Sequence, residues 1–266
     1  MISPLTDIGV NLTDKSFAED LEQVIESAVA SGVTTLLITG TNLLESQQAV
    51  QLCRRFPDVT FSTAGVHPHH AKEWTPQHAA QLTSLAADCK VVAIGETGLD
   101  YNRNFSAPEQ QRKAFESQLE LAAELKKPLF LHERDAHDDQ LSMLKNVMSQ
   151  LAGGVIHCFT GTQAELEHYL DLGLYIGITG WICDERRGMH LRELVKMIPA
   201  DRLLLETDCP YLLPRTLKPK PKSRRNEPKY LPHITGFIAG LLSTDSEALA
   251  RQTTLNARRL FNFEHR

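Results

Sequence analysis

Four side chains of the types that bind divalent metals each stand at the end of an apolar run with strand character. They are Glu96 in VVAIGE, His132 in PLFLH, His157 in GVIH and Asp208 in LLLETD. In a barrel of parallel strands the carboxyl ends meet at one face, so these side chains are expected to converge. Carboxylates and imidazoles are ligands for divalent ions, which activate water and neutralise phosphate charge. The pattern predicts a metal-dependent hydrolytic site.

The elements that must position these side chains alternate between strand-like and helix-like runs. Eight such alternations occur, and residues 231 to 263 remain for closing helices. They predict the α/β class and a TIM-type (β/α)8 barrel, built as a single domain of residues 1–266. Helices are expected from Ser16 to Ala30 and after Pro108, and Gly173 is expected to end the sixth. An open doubly wound sheet is the alternative, although ligands on four strands converge more naturally in a closed sheet.

The composition is that of a globular chain, with 42% hydrophobic and 23% charged residues. Its apolar runs are shorter than the roughly 18 residues of a membrane span, and the first residues lack the pattern of a secretory signal. Five cysteines without a C-x-x-C pair argue against a disulfide framework and a thiolate zinc site. Cys158 and Cys209 are therefore expected to be packed thiols. We expect a cytoplasmic protein without a membrane partner.

The net charge of −5 argues against a broad attraction to nucleic acid, so any basic surface must be local. Residues 214 to 230 form such a segment, with seven Lys or Arg, a single acid and several prolines. The segment follows the predicted eighth strand, so it is expected beside the metal site. We expect phosphate contacts from Lys220, Lys222, Arg224 and Arg225, and a solvated loop is the alternative.

Aromatic side chains recur in the predicted strand-to-helix loops. They are Tyr101, Phe105, Trp181 and Tyr211. An aromatic face can stack on an unpaired base, and a single strand offers free base faces that a duplex does not. Ordinary core packing is the alternative for each residue. As a set they favour a single-stranded substrate.

Longer motifs around these residues resemble those of one known family. GETGLDY, H-x-R-D-A, IHCFTG and ETD-x-PYL, with GVHPH at residues 65 to 69 and NEP at 226 to 228, are similar to motifs of the TatD family of metal-dependent deoxyribonucleases. The resemblance extends over essentially the whole chain. It implies an amidohydrolase-like barrel that hydrolyses phosphodiester bonds.

The same resemblance implies roles for individual residues. Glu96, His132 and His157 match the metal ligands. Asp208 matches the last acidic residue of the family, which joins the metal cluster and helps to activate the attacking water. We therefore expect Asp208 to act as a general base or to reach a second ion.

One departure from the family pattern lies on the first strand. Most members carry D-x-H-x-H there, whereas this chain reads DIGVN at residues 7 to 11, with Gly9 and Asn11 in place of the histidines. The loss predicts a single tightly bound ion on Glu96, His132 and His157. Residues two apart on a strand point the same way, so histidines restored at positions 9 and 11 are expected to share a face and hold a second ion.

Two further residues are expected to contact the substrate. His67 in GVHPH resembles a family residue near the scissile phosphate, and Arg134 lies two positions after His132. Structural roles are the alternatives for both. His69 and His70 are expected at the surface.

These features together predict a metal-dependent nuclease, a 3′ to 5′ exonuclease on single-stranded DNA with RNA as a further substrate. The direction and the strand preference are implied by the resemblance. Mg²⁺ is the expected ion, with Mn²⁺ as a substitute. The protein is expected to be a monomer and to work in DNA repair or degradation. One alternative is a metal-dependent hydrolase of amide or ester bonds, acting on a small molecule or an aminoacyl-tRNA. Another is a non-catalytic binding protein, against which the four retained ligand types argue.

Overall fold

A computed structural model of the protein describes residues 3–263. Eight strands follow one another around a single sheet in chain order, and each pairs in parallel with the next. The strands are β1 (Leu5–Val10), β2 (Val33–Ile38), β3 (Thr60–Ala64), β4 (Val91–Asp100), β5 (Leu129–Arg134), β6 (Gly154–Ile156), β7 (Tyr175–Ile178) and β8 (Leu203–Leu205).

Helices connect the strands and cover the outside of the sheet, as parallel pairing requires. They are α1 (Leu21–Ala30), α2 (Leu43–Arg55), α3 (Pro76–Ala86), α4 (Pro108–Leu125), α5 (His137–Val147), α6 (Gln163–Asp171), α7 (Met189–Leu194), α8 (Leu231–Leu241) and α9 (Ser246–Phe261). The last two occupy the stretch that remained after the eighth strand. The predicted succession of eight strand and helix units is therefore confirmed.

The sheet closes at a short seam between β1 and the segment after β8. A parallel bridge joins Val10 to Cys209, and the amide of Asp208 donates to the carbonyl of Gly9 at 2.9 Å. Below this bridge, Asp7 accepts hydrogen bonds from the amide and the hydroxyl of Thr207 at 2.9 and 2.6 Å. The seam makes the sheet a nearly closed barrel and confirms the predicted TIM-type fold over the open alternative.

Two apolar clusters fill the two sides of the strands. Leu36 and Ile38 of β2 belong to the larger cluster, which also takes side chains from the helices. Leu37, between them, belongs to the smaller cluster, which combines side chains of seven strands with Leu260 and Phe261 at the end of α9. Alternate residues of a strand point to opposite faces, so the smaller cluster is the barrel interior. The carboxyl ends of the strands are left for polar side chains.

The local boundaries differ from the predictions in a few places. The helix predicted from Ser16 begins at Leu21, because Asp14 caps a separate 3-10 turn over Lys15–Phe17 by accepting from the amide of Ser16. The predictions for α4, which begins at Pro108, and for Gly173, which follows α6 with a φ of +75°, are confirmed. Capping by local side chains therefore decided where the first helix starts.

The structure also bears on the predictions from composition. All five cysteines are free thiols, and Cys209 is fully buried. Among the described residues, no helix combines the length and the apolar character that a bilayer span requires.

The seam generates a prediction about stability and pH, because Asp7 is completely buried. Burial raises the pKa of Asp7 to about 8, although hydrogen bonds from Thr207 and Gly9 oppose the shift. The folded protein keeps this proton up to about pH 8, whereas an unfolded chain releases it at about pH 4. Asp7 therefore makes the free energy of unfolding fall as the pH rises from about 4 to about 8.

Urea unfolding of the metal-free protein across this pH range checks the contribution. The Asp7→Asn variant has no group to titrate at this position, so its unfolding free energy is expected to fall less steeply than that of the wild type. Parallel curves for the two proteins would contradict the assignment of a raised pKa to Asp7.

Candidate metal centre and substrate pocket

Glu96 reaches the middle of the carboxyl-terminal face because β4 runs very close to β5 just before it. Gly95 has a φ of +145°, and a Cβ atom at this position would lie 2.2 Å from the carbonyl oxygen of Phe130. Glycine is the residue that tolerates both the conformation and the approach. The following side chain, that of Glu96, is 8% exposed and points into the site.

Three imidazole rings surround one oxygen of this carboxylate. Glu96 Oε1 lies 3.3 Å from His67 Nε2, 3.0 Å from His132 Nδ1 and 2.8 Å from His157 Nε2. Burial would raise the pKa of Glu96. The charge on His157, the electrostatic interaction with His67 and the hydrogen bonds from His132 and His157 instead hold the pKa well below its ordinary value. The carboxylate is thus ionised at the centre of the cluster.

His132 and His157 each meet a second carboxylate on the other ring nitrogen. His132 Nε2 lies 3.3 Å from Asp100 Oδ2, and His157 Nδ1 lies 3.2 Å from Glu206 Oε2. Burial would lower the pKa of both imidazoles, but the carboxylates raise it for His132 and raise it well above the ordinary value for His157. Neither Asp100 nor Glu206 was among the predicted site residues. The only signal for them in the sequence was their place inside the motifs GETGLDY and ETD-x-PYL.

His67 differs from these two rings in its protonation. Burial lowers its pKa to about 4, despite the attraction of Glu96, so the ring is neutral at pH 7. His67 Nδ1 accepts a hydrogen bond from the amide of His69 at 3.1 Å, which leaves the ring proton on Nε2. His67 therefore presents an N–H donor to the site.

His69 lies in the pocket wall, so the prediction that it is a surface residue was wrong. Its Nε2 is 2.8 Å from Asp100 Oδ2, and its ring packs edge-on against His67 and Phe105, with centroids 4.2 and 4.7 Å apart. A turn of 3-10 helix over Pro68–Glu73 folds it back over the strand ends. His70, with a side chain that is 38% exposed, lies at the rim of the same pocket.

Asp208 lines the same pocket as the imidazole rings and is oriented by Asn11. Asn11 Nδ2 donates to Asp208 Oδ1 at 3.0 Å and to the carbonyl of Cys209 at 3.1 Å. Burial raises the pKa of Asp208 to about 7, with the charges of Glu206 and Glu96 adding to the shift and that of His157 opposing it. Asn11 thus turns its amide N–H groups, not its oxygen, toward the site.

On the first strand, the space beside position 9 is already occupied by the side chain of Glu206. A Cβ atom on Gly9 would lie 2.3 Å from Glu206 Oε2, because the carboxylate of Glu206 fills the space above this glycine. The expectation that histidines restored at positions 9 and 11 share a face and hold a second ion stays a prediction, and at position 9 it requires Glu206 to move. A histidine side chain there would have to displace Glu206 from His157.

The pocket over these groups encloses about 530 Å³. Arg134 lies in its wall, where Nη1 donates to Thr160 Oγ1 at 2.7 Å and the guanidinium lies 5.4 Å from the ring centre of Trp181. Phe105 and Tyr211, each 55% exposed, lie at its edge. Of the four loop aromatics, Tyr101 does not line the pocket but donates to Asp139 Oδ2 at 2.7 Å.

The basic segment is divided between internal ion pairs and exposed charges. Arg225 donates to both oxygens of Asp20 at 2.8 and 2.6 Å and to Glu227 at 3.1 Å, so its guanidinium is held within the protein. The side chains of Lys220, Lys222 and Arg224 are exposed. None of residues 214 to 230 lines the pocket. Phosphate contact by Lys220, Lys222 and Arg224 stays a prediction, and the same prediction for Arg225 conflicts with the donors that its guanidinium already gives to Asp20 and Glu227.

The donor set fits a divalent cation. The ligand atoms of His67, Glu96 and His132 lie within 4.8 Å of one another, the one such group found among the described residues. Because His67 Nε2 carries a proton, Glu96 and His132 are the members of this group that have a lone pair for a cation. His157 Nε2 adds an imidazole 2.8 Å from the same carboxylate oxygen. Carboxylate and imidazole donors crowded around one buried point are the ligand types of divalent metal sites, and a carboxylate behind each of two rings is the usual support for a ligating histidine.

Comparisons with known proteins agree with this geometry. The family model described as TatD related DNase matches residues 6–262. A relative from Erwinia billingiae, named 3'-5' ssDNA/RNA exonuclease TatD, is 62% identical over 255 residues, which are 96% of this chain and 98% of the relative. The solved structure of YJJV, a TatD homologue from Escherichia coli K12, matches with a TM-score of 0.90 and 26% identity over 99% of this chain and 100% of that one. An uncharacterized amidohydrolase from Saccharomyces cerevisiae shares the fold, with a TM-score of 0.85 and 24% identity over 97% and 100% of the two chains.

The raised pKa values of His132 and His157 predict that metal binding releases protons. A ligating imidazole must give up the proton on its metal-binding nitrogen, and the raised pKa means that both rings keep their protons to a higher pH than an ordinary imidazole does. Mn²⁺ affinity is therefore expected to weaken as the pH falls from 8 to 6. Calorimetric titration at pH 7 in buffers with different ionisation enthalpies measures the number of protons released. The same heat in every buffer would contradict the prediction.

Proposed function

The chain belongs to the family of TatD-related DNases and is a hydrolytic nuclease, and from that premise we propose that it removes nucleotides from the 3′ end of single-stranded DNA and RNA with the help of a divalent metal. The observation that carries the proposal is the meeting of three imidazoles at one oxygen of Glu96. This cluster lies on the floor of a pocket at the carboxyl-terminal face, where barrel enzymes carry their active sites.

Glu96, His132 and His157 are the residues that would hold the metal, with Asp208 beside them. A divalent ion bound there would supply electrostatic stabilisation of the phosphate and a lowered pKa for the attacking water. Asp100 and Glu206 hold the two imidazoles from behind. Asp208, oriented by Asn11, accepts the proton of the attacking water.

His67 and Arg134 serve the substrate rather than the metal. His67 Nδ1 is already engaged by the amide of His69, so Nε2 carries a proton and cannot offer a lone pair to a cation. An N–H donor at this point suits a non-bridging phosphate oxygen. One N–H group of Arg134 donates to Thr160. A guanidinium has five N–H donors, so the others are available to a phosphate group.

The pocket favours the end of a single strand. Its volume of about 530 Å³ falls in the range of roughly 300–1,000 Å³ that holds a small ligand, which suits a terminal nucleotide better than a duplex. Phe105 and Tyr211 offer exposed rings at the edge, on which unpaired bases can stack. Arg134 and Trp181 supply a cation and an aromatic face beside each other.

The ion and the setting follow from the same proposal. We propose Mg²⁺ as the working ion and Mn²⁺ as a substitute, which the imidazole ligands would bind more tightly. Five free thiols suit a reducing cytoplasm, in which the protein acts as a monomer in DNA repair or degradation.

Replacing the metal ligands tests the proposal directly. Glu96→Gln, His132→Ala and His157→Ala are each expected to lower the cleavage rate by more than about a hundredfold, because losing a residue that only supports a ligand already costs about 10–100-fold. Glu120→Gln and His168→Ala, which change exposed helix residues of the same types, are the matched controls. Single-stranded DNA labelled at its 5′ end should shorten from the 3′ end with Mg²⁺, and not with chelator. Full activity in two of the three ligand variants would refute the assignment.

The basic segment generates a second test. Replacing Lys220, Lys222 and Arg224 together by Gln is expected to weaken binding of single-stranded DNA. The salt dependence of log K should flatten by up to about 2, because each lost phosphate contact removes about 0.7 from the slope. Arg225→Gln is the control from the same segment, since its guanidinium is held by Asp20 and its loss should lower the melting temperature without changing the slope. An unchanged slope in the triple variant would show that the segment does not contact the strand.

A further inference from the structure

Glu206 is a fully buried carboxylate whose hydrogen bonds go to one short segment of chain. Its Oε2 lies 3.2 Å from His157 Nδ1, and its Oε1 accepts a hydrogen bond from the amide of Cys158 at 2.5 Å. An isolated buried carboxylate is costly, so such a group persists where its partners compensate it. The partners here are the ring and the backbone that place His157.

Two glycines on other strands keep the space that this carboxylate occupies. A Cβ atom on Gly9 of β1 would lie 2.3 Å from Glu206 Oε2, and one on Gly177 of β7 would lie 2.5 Å from Glu206 Oε1. Neither glycine has a positive φ, so the backbone conformation does not call for glycine at these positions. Glycine is needed at both positions because the carboxylate of Glu206 lies between them.

We propose that Glu206 is a positioning residue for His157 and that Gly9 and Gly177 are small in order to seat it. Glu206 Oε2 accepts a hydrogen bond from Nδ1–H of His157, which fixes the tautomer and the ring plane and turns Nε2 toward Glu96. The inference rests on the proposed role of His157 as a metal ligand. It also accounts for the glycine on the first strand, because the space beside Gly9 holds the carboxylate of Glu206, the residue that follows β8.

Mn²⁺ titration by calorimetry, without nucleic acid, tests the positioning role. Glu206→Gln keeps the shape of the side chain but can offer an N–H where Nδ1 needs an acceptor. The dissociation constant for Mn²⁺ is expected to rise about 10–100-fold, and saturating Mn²⁺ should restore most of kcat. Asp7→Asn is the matched control, since Asp7 is also a fully buried carboxyl on the barrel seam but bonds Thr207 instead of a histidine. Unchanged Mn²⁺ affinity in Glu206→Gln would overturn the inference.

The glycines provide a second and independent test, which leaves Glu206 in the chain. Gly9→Ala is expected to weaken Mn²⁺ binding by displacing the carboxylate. In a Glu206→Ala background the same change should have little further effect, because the space is then free. Independent, additive losses would show that Gly9 acts through something other than Glu206 and would overturn the proposal.

The same titrations separate this inference from the proposed function. Loss of Mn²⁺ binding in Glu96→Ala, together with unchanged binding in Glu206→Gln, would leave the metal centre standing and remove only the positioning role. Full Mn²⁺ binding in Glu96→Ala would instead refute the metal centre, and with it the premise of this inference.

Discussion

The active face depends on one shared contact, the approach of three imidazole rings to Oε1 of Glu96. Each ring can point one nitrogen at this oxygen only if something holds the other nitrogen. Asp100 does so for His132, Glu206 for His157 and the backbone amide of His69 for His67. The type of that partner also determines whether a ring suits a metal ion or a phosphate group. Two are backed by carboxylates and suit a cation, whereas the ring backed by an amide keeps a proton and suits a phosphate oxygen.

The seam between β1 and β8 links barrel closure to this chemistry. Alternate residues of the first strand each meet one residue of the segment after β8. Asp7 accepts from Thr207, Gly9 makes room for Glu206, and Asn11 donates to Asp208. The first strand, which by the family resemblance would be expected to carry a histidine pair, here closes the barrel and arranges the acids that follow β8. The fold and the site therefore share the same residues at this point.

The exposed cations of the segment after β8 are separated in space from the groups that line the pocket. Aromatic and cationic groups from several loops line the pocket, while the exposed lysines of the segment after β8 lie outside its wall. That segment is anchored by Arg225 on Asp20 and by Asn226, which donates to the carbonyl of Thr207 at 2.9 Å. Part of its positive charge is therefore neutralised in ion pairs that hold the loop against the barrel. The remainder can meet a strand that extends beyond the pocket.

The sequence by itself determined the barrel and the convergence of Glu96, His132, His157 and Asp208, because both follow from periodicity. Buried parallel strands read as apolar runs, and their carboxyl ends share one face whatever the details of packing. Tertiary structure alone decided the groups defined by contacts between distant segments: His69 in the pocket wall, Asp100 and Glu206 behind the ligand rings, and Arg225 bound to Asp20. It also decided that Gly9 is needed for space, since its neighbour Glu206 lies 197 positions away in the chain. Such pairings depend on how strands twist and close, and no local pattern of residues encodes them.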